Sequence, residues 1–170
     1  MKNKKKILFL GTRIETLNLL NIIFDVTKII TTKNSHIEKS NYNYTIINKK
    51  NKEMIFKKLI NCKEEILISA GFPYYIPINL INKFNLALNC HPGKLPKYKG
   101  YYSIDDAIKN KEIYIYSTIH YLNQKFDSGK KIFETKINRK KLSKNELKKT
   151  LFGVIEPFAL FQALQKIKKI

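Results

Sequence analysis

The densest grouping of chemistry-bearing side chains is Asn89-Cys90-His91-Pro92-Gly93-Lys94-Leu95-Pro96-Lys97-Tyr98-Lys99-Gly100. Asn89 and His91 stand two residues apart at the end of an apolar run, Leu86 to Cys90, that reads as a strand. Side chains alternate along a strand, so these two share a face and Cys90 takes the other. A Cys–His nucleophile pair needs hydrogen-bond contact, which that alternation denies; Cys90 reads as a small buried hydrophobe. An amide beside an imidazole could stabilise a developing oxyanion, the amide donating and the imidazole donating or shuttling a proton. An Asn and a His that merely satisfy loop backbone remain the alternative. The Pro- and Gly-rich loop behind them favours a built site, because it is stiff and allows close ligand approach.

Other places compete for a role. Asp127-Ser128-Gly129 is either an ordinary turn or a carboxylate that pairs with His91, orients its ring and favours the imidazolium. Gly11-Thr12-Arg13 joins a strand to a helix, where anions bind, yet lacks GxGxxG and the P-loop Lys; a capped turn explains it as well. Ser69-Ala70-Gly71-Phe72-Pro73-Tyr74-Tyr75 ends another strand in small residues rimmed by aromatics. It suits a flat heteroaromatic ligand gripped by backbone groups, or else its rings pack the core. His120, in Ser117-Thr118-Ile119-His120, reads on its own as a structural strand residue, and His36 has no partner signal.

The elements that must position these residues alternate. A continuous apolar run at Ile7 to Leu10 predicts a strand, and Val26 to Thr31, Tyr42 to Ile47, Glu65 to Ala70, Leu86 to Cys90, Ile113 to Leu122 and Ile132 to Ile137 read as further strands. Helices are expected from a Thr12–Glu15 capping box through Phe24, over 50–60, over 77–82 with Pro77 early, and over 101–110. Ser143-Lys144-Asn145-Glu146 is a second capping box. It opens a long helix toward Ile170 that Pro157 should kink at Gly153, four residues back. This order predicts an α/β, Rossmann-like fold: a mainly parallel, twisted sheet with helices on both faces. Ligands of such sheets bind beyond the carboxyl ends of the strands, which singles out the loops after Leu10, Ala70 and Asn89.

With 170 residues, the chain is expected to form one domain with a core that needs no disulfide or metal staple. The net charge of +20 suggests nucleic acid or an anionic surface. Its make-up tempers that: of 33 basic residues only Arg13 and Arg139 are Arg. Phosphate and base readout favour the bidentate fork of Arg, whereas Lys, Ile and Asn share AT-rich codons. Two cysteines give neither a disulfide framework nor metal-ligand spacing, so no metal is expected and the chain reads as cytoplasmic. The basic start, Met1 to Lys6, precedes an apolar run too short for a signal core, and nothing later approaches a membrane span.

Taken together, Asn89-Cys90-His91-Pro92-Gly93-Lys94-Leu95-Pro96, Tyr98-Lys99-Gly100, Thr118-Ile119-His120 and Asp127-Ser128-Gly129 resemble the formyltransferase family that uses 10-formyltetrahydrofolate. Its pattern is Asn-x-His-Pro, Leu-Pro, an aromatic-basic-Gly loop, a Thr-x-His strand and an Asp-x-Gly turn. The resemblance extends over essentially the whole chain, including Ile7 to Thr12. It implies Asn89, His91 and Asp127 as the catalytic trio: a substrate amine attacks the formyl carbon, Asn and His stabilise the oxyanion, and Asp tunes His and helps move protons. It implies contacts to the folate from Ser69, Ala70, Gly71, Phe72, Tyr74, His120 and Gly129, with the loop Ile68 to Ile76 receiving the pterin. Acceptor contacts are implied for Gly11, Thr12, Gly93, Lys94 and Leu95. The departures are Gly93 for the usual Ser, Lys99 for Arg, Ser128 for Thr, and Tyr116 for the Gly before the Thr-x-His strand.

Family members that act on methionyl-tRNA carry a C-terminal β-barrel. The expectation here is a single catalytic domain over 1–170 without that barrel. The resemblance then implies formyl transfer from 10-formyltetrahydrofolate to a primary amine of a small acceptor, for instance a nucleotide-linked amino sugar. A minimal methionyl-tRNA formyltransferase is the alternative within the family; a non-catalytic folate- or nucleic-acid-binding protein is the alternative outside it. The expected partners are the amine and the folate, with nucleic acid second, no membrane, and a homodimer left open.

Overall fold

The structure, a computed structural model, describes residues 4–140 and 142–167. Met1 to Asn3 of the basic start, Lys141 of the Lys-rich stretch and the last residues of the expected C-terminal helix lie outside them. The chain divides into two compact units, Met1–Leu88 and Asn89–Ile170.

The first unit holds β1 (Lys6–Gly11), α1 (Ile14–Ile23), β2 (Asp25–Thr31), β3 (Thr45–Ile46), α2 (Lys52–Ile60), β4 (Ile66–Ala70), α3 (Ile78–Ile81) and the start of β5 (Leu86–His91). Its strand order is β3-β2-β1-β4-β5. The pairs β1–β2, β1–β4 and β2–β3 are parallel, with Leu8 opposite Leu67 and Gly11 opposite Ala70. Ile7, Leu8, Phe9 and Leu10 are all fully buried, as a parallel strand covered on both faces requires. The strand expected over Tyr42 to Ile47 is only two residues long. Its approach is taken by a 3-10 turn, His36–Lys39, capped by Ser35.

The second unit takes the end of β5 and adds α4 (Ser103–Lys109), β6 (Tyr114–Tyr121), β7 (Lys131–Asn138), α5 (Lys144–Thr150) and α6 (Glu156–Lys166). Its strand order is β5-β6-β7, with β6 and β7 antiparallel. Tyr98, Ile104, Ala107, Ile115, Leu147 and Leu151 form its core. The Ser143–Glu146 capping box closes α5 at its start as expected: Ser143 Oγ accepts from Glu146 N–H, and the Glu146 carboxylate accepts from Ser143 N–H at 2.9 Å. Where the sequence predicts a kink at Gly153, the helix widens into one π turn, Leu151–Ile155, before α6. The Glu156 N–H bonds back to Leu151, five residues earlier. The wide turn relieves the conflict between the Pro157 ring and the carbonyl four residues before it.

The other capping box does not form. Arg13, not Thr12, is the N-cap of α1, and it makes no side-chain cap. The Thr12 hydroxyl donates instead to the Gly71 carbonyl at 3.2 Å, and Thr12 N–H donates to Ala70 O at 3.0 Å. Among the described residues no helix is long and apolar enough to cross a membrane.

Candidate active site

The second unit gathers Asn89, His91, His120 and Asp127. Strand alternation places Asn89 and His91 on one side of β5, with Cys90 buried on the other side. Asp127 follows β6 in a left-handed backbone conformation, φ 45°, a region Asp enters more readily than most residues. That bend brings its carboxylate back to β5. Gly129 makes the return feasible: a Cβ there would stand 1.7 Å from the Tyr121 carbonyl oxygen, so only glycine fits.

Each carboxylate oxygen of Asp127 has a defined surrounding. Oδ1 accepts from Asn89 Nδ2 at 3.1 Å and lies 3.4 Å from His120 Nε2. Oδ2 accepts from the Gly100 N–H at 2.7 Å and faces His91 Nδ1 at 3.3 Å. Burial pulls this carboxyl upward, but the two neighbouring imidazoles and the Gly100 N–H together hold it below the usual carboxylate range. Asp127 is therefore a carboxylate at neutral pH.

The partners of the two imidazoles decide where their protons sit. His91 Nε2 is 2.6 Å from the Tyr98 carbonyl, which can only accept, so Nε2 carries the proton. Its Nδ1 lone pair then faces Asp127. Burial depresses the His91 pKa, and the opposing pull of Asp127 and of the Tyr98 carbonyl does not offset it. Asp127 pulls His91 toward the imidazolium as expected, but in a site where His91 is 3% exposed desolvation outweighs that pull. By the same logic His120 carries its proton on Nδ1, which donates to Tyr121 O at 2.8 Å, and its Nε2 accepts from Asn89 Nδ2 at 3.2 Å. Both amide hydrogens of Asn89 are thus directed at Asp127 and His120.

A scaffold of backbone carbonyls holds the His91-Pro92-Gly93 turn. Ser103 Oγ donates to Pro92 O at 3.0 Å and Thr118 Oγ1 to Gly93 O at 2.7 Å. A Cβ on Gly93 would lie 2.6 Å from Tyr98 O and 2.7 Å from His91 Nε2. Glycine at this position is what lets the His91–Tyr98 hydrogen bond form. Lys94 is exposed over the Tyr116 ring, at 5.1 Å, and Leu95 is buried.

The structure brings Asn89, His91 and Asp127 together and adds His120, whose ring touches both Asn89 and Asp127. Sequence reasoning missed the backbone of Tyr98 and Gly100, which hold His91 and Asp127; the aromatic-basic-Gly motif was the available signal, but a motif names side chains and the contacts here are main-chain. In the first unit, Ser69 and Ala70 are buried strand residues, and Phe72 packs edge-on against Phe56 and Tyr74. Its ring does belong to a packed aromatic cluster. The Ala70 and Gly71 carbonyls are engaged by Thr12. Cys62 is no reactive thiol: burial and the neighbouring Glu64 push it up. Among the described residues no His, Cys, Asp and Glu cluster could hold a metal ion.

An amide, two imidazoles and a buried carboxylate form a polar cluster on an α/β scaffold, with the place between Nδ1 and Oδ2 able to take up and return a proton. Solved structures share the fold. Phosphoribosylglycinamide formyltransferase from Campylobacter jejuni superposes with a TM-score of 0.80, covering 97% of this chain and 98% of that one at 18% identity. A formyltetrahydrofolate deformylase from Pseudomonas syringae gives 0.79, covering 96% and 60% at 18% identity. In sequence, residues 24–151 match the formyl transferase family, and the chain belongs to that family. The family uses 10-formyltetrahydrofolate as formyl donor. The methionyl-tRNA formyltransferase of Pediococcus pentosaceus is 33% identical over 81 residues, which is 47% of this chain and 25% of that protein. The match spans about a quarter of the methionyl-tRNA formyltransferases of Pediococcus pentosaceus and Staphylococcus epidermidis, and 6% of a trifunctional purine biosynthetic protein of Chironomus tentans.

Proposed function

We propose that the protein transfers a formyl group from 10-formyltetrahydrofolate to a primary amine of a small acceptor, with Asn89, His91 and Asp127 as its catalytic residues. The observation that carries this reading is the His91–Asp127 pair: Nδ1 of a buried imidazole 3.3 Å from a carboxylate oxygen, with space for one proton between them. When bound, 10-formyltetrahydrofolate supplies the electrophilic formyl carbon that the amine attacks. The donor set fits that chemistry, since it offers N–H groups to an oxygen gaining charge and a base for the amine's proton.

His91 accepts that proton at Nδ1, directly or through water, and becomes an imidazolium against Asp127. The proton then returns from Nδ1 to the departing nitrogen, which leaves His91 neutral again. While His91 holds the proton, Asp127 is partly neutralised and draws less on the Asn89 amide. One Asn89 N–H is then released toward the charged oxygen. A positioned acid–base group contributes roughly 10²–10⁴-fold, and an oxyanion donor about 2.7–4 kcal/mol. We assign the turn Ala70-Gly71-Phe72, with Ser69, Tyr74, His120 and Gly129, to the folate, and Gly11, Thr12, Gly93, Lys94 and Leu95 to the acceptor. For Ser69 and Ala70 the contribution is main-chain, because their side chains are buried.

A second acceptor, methionyl-tRNA, is favoured by one observation, the 33% identity to a methionyl-tRNA formyltransferase. The test is a panel of amines with 10-formyltetrahydrofolate, following tetrahydrofolate release by absorbance. The panel includes a nucleotide-linked amino sugar, glycinamide ribonucleotide and methionyl-tRNA. Turnover of a small amine with a flat salt response supports the first reading. Turnover of tRNA alone, with a steep log-salt slope, replaces it with the second. No turnover of any amine, with wild-type-like nucleic-acid binding by Asp127→Asn and His91→Ala, makes the protein a binding module.

A further inference from the structure

Tyr98 links His91 to the segment between α4 and β6. Its ring is buried in the core with Ile104, Ile115 and Leu147. Its carbonyl receives the His91 Nε2 proton. Its hydroxyl donates to Glu112 Oε1 at 2.7 Å and accepts from Asn110 Nδ2 at 3.3 Å. Glu112 is itself held. Lys97 Nζ, next in sequence to Tyr98, bonds the same Oε1. The Glu112 N–H donates to Ala107 O at 3.0 Å and its carbonyl accepts from Arg139 Nε at 3.2 Å. The loop carrying Tyr98 is therefore pinned to the segment between α4 and β6 by a half-buried carboxylate. The distance from that carboxylate to the imidazole is one tyrosine residue.

We propose that Glu112 is a positioning residue for His91: by holding the Tyr98 hydroxyl it fixes the carbonyl that keeps the His91 proton on Nε2 and the Nδ1 lone pair on Asp127. Without that anchor, rotation of the Tyr98 peptide by a small angle lengthens the Nε2–H bond, and either ring nitrogen can then carry the proton. A proton on Nδ1 fills the place the amine proton needs. The charged and titratable groups around the relay are Asp127 and His120 at His91, and Lys97, Lys94 and Arg139 at Glu112. None of the three cations has a contact with His91, so Glu112 acts through Tyr98 and not by charge across space.

The experiment compares Glu112→Ala, Glu112→Gln and Tyr98→Phe with wild type. The glutamine keeps an oxygen that accepts from the Tyr98 hydroxyl; the other two variants lose that bond. Two readouts are taken. Two-bond nitrogen–proton spectra of the imidazoles, simple in a chain with 3 histidines, report the tautomer of His91 with no substrate present. The pH profile of formyl transfer reports its titration. Wild type and Glu112→Gln should show His91 protonated on Nε2. Glu112→Ala and Tyr98→Phe should show the Nδ1–H form appearing, kcat reduced about ten-fold with KM for the folate unchanged, and the acid limb moved lower by about half a pH unit as the carbonyl's support for the imidazolium is lost. The double variant should be no worse than either single one. A wild-type tautomer and limb in Glu112→Ala, with only the melting temperature lowered, overturns the proposal. So does a failure of glutamine to restore them. The kinetic arm rests on the formyl-transfer reading; the spectroscopic arm does not. A wild type inactive on every amine therefore refutes that reading while the tautomer still decides this one.

Discussion

Replacing Asp127 by Asn leaves the shape of the side chain and changes one oxygen into an NH₂. Each orientation finds an imidazole lone pair for the NH₂ but leaves one donor opposed. With the amide NH₂ at the Oδ1 position it meets Asn89 Nδ2, a donor now 3.1 Å away. With it at the Oδ2 position it meets the Gly100 N–H, a donor now at 2.7 Å. Either way one buried donor opposes another, which costs about 1–3 kcal/mol of stability. For a chain of this size that corresponds to roughly 2–4 °C per kcal/mol in melting temperature. The catalytic loss is larger and has a separate origin. The carboxylate faces Nδ1 at 3.3 Å, and an opposite charge at such range favours the protonated form by about 1–3 pKa units, or 10–10³ in the population of imidazolium. Asp127→Asn should therefore lower kcat by about 10²-fold or more, with folate affinity changed by less than about three-fold. Tetrahydrofolate release at saturating donor measures the first, and fluorescence titration with the folate the second. His91→Ala and the double variant should lose about as much as Asp127→Asn alone, since the pair acts as one unit. An Asp127→Asn protein that folds and keeps more than about a tenth of wild-type kcat would show that the proton does not lodge between His91 and Asp127.

Three further outcomes follow from the same geometry. Burial lowers the His91 pKa, so the acid limb of kcat/KM should fall below the ordinary histidine value of about 6.5. The same group's share of stability should be complete above about 6.5 and lost as pH falls through the lowered value, which a series of urea melts between pH 7 and pH 5 would reveal. Gly93→Ala places a Cβ 2.6 Å from Tyr98 O and 2.7 Å from His91 Nε2; it should cost about 1–3 kcal/mol and reduce kcat more than KM, checked by thermal melts and steady-state kinetics. Ser143→Ala removes the cap of α5 far in sequence from the site; it should cost about 1 kcal/mol, visible in the melting temperature, and leave kcat at the wild-type value.

Parallel strands buried on both faces are apolar at nearly every position, so Ile7 to Leu10 and Ile66 to Ala70 announce themselves without any tertiary information. The same holds for the capping box at Ser143, whose two partners are three residues apart. What escaped sequence reading has its cause far away along the chain. Thr12 caps nothing because Gly71, 59 residues on, offers its hydroxyl a carbonyl. The trio itself was legible as residue types in ordered motifs, whereas its protonation was not. The charge of His91 is settled by how completely the fold buries it, and the hydrogens of Asn89 by a histidine 31 residues later. The strand expected from Tyr42 shrank to Thr45–Ile46 because Ser35 and Ser40 turn the preceding chain into a 3-10 turn.

The π turn at Leu151–Ile155 also sets the phase of everything after it. Leu147 and Leu151 are buried, and an uninterrupted α-helix would next bury Val154, Phe158 and Phe161. Those three are exposed, and Glu156, Ala159, Leu160, Ala163 and Leu164 are inside instead. One residue of an α-helix is about 100° of rotation, so the wide turn acts as an inserted step that advances the rest of the helix by that angle. Deleting a single residue within Leu151–Ile155 would let a regular α-helix run through with the same face of α6 inside, whereas regular spacing without the deletion would turn that face outward. The extra residue and the wide turn must therefore be kept or lost together if α6 is to hold Ala159, Leu160 and Ala163 inward.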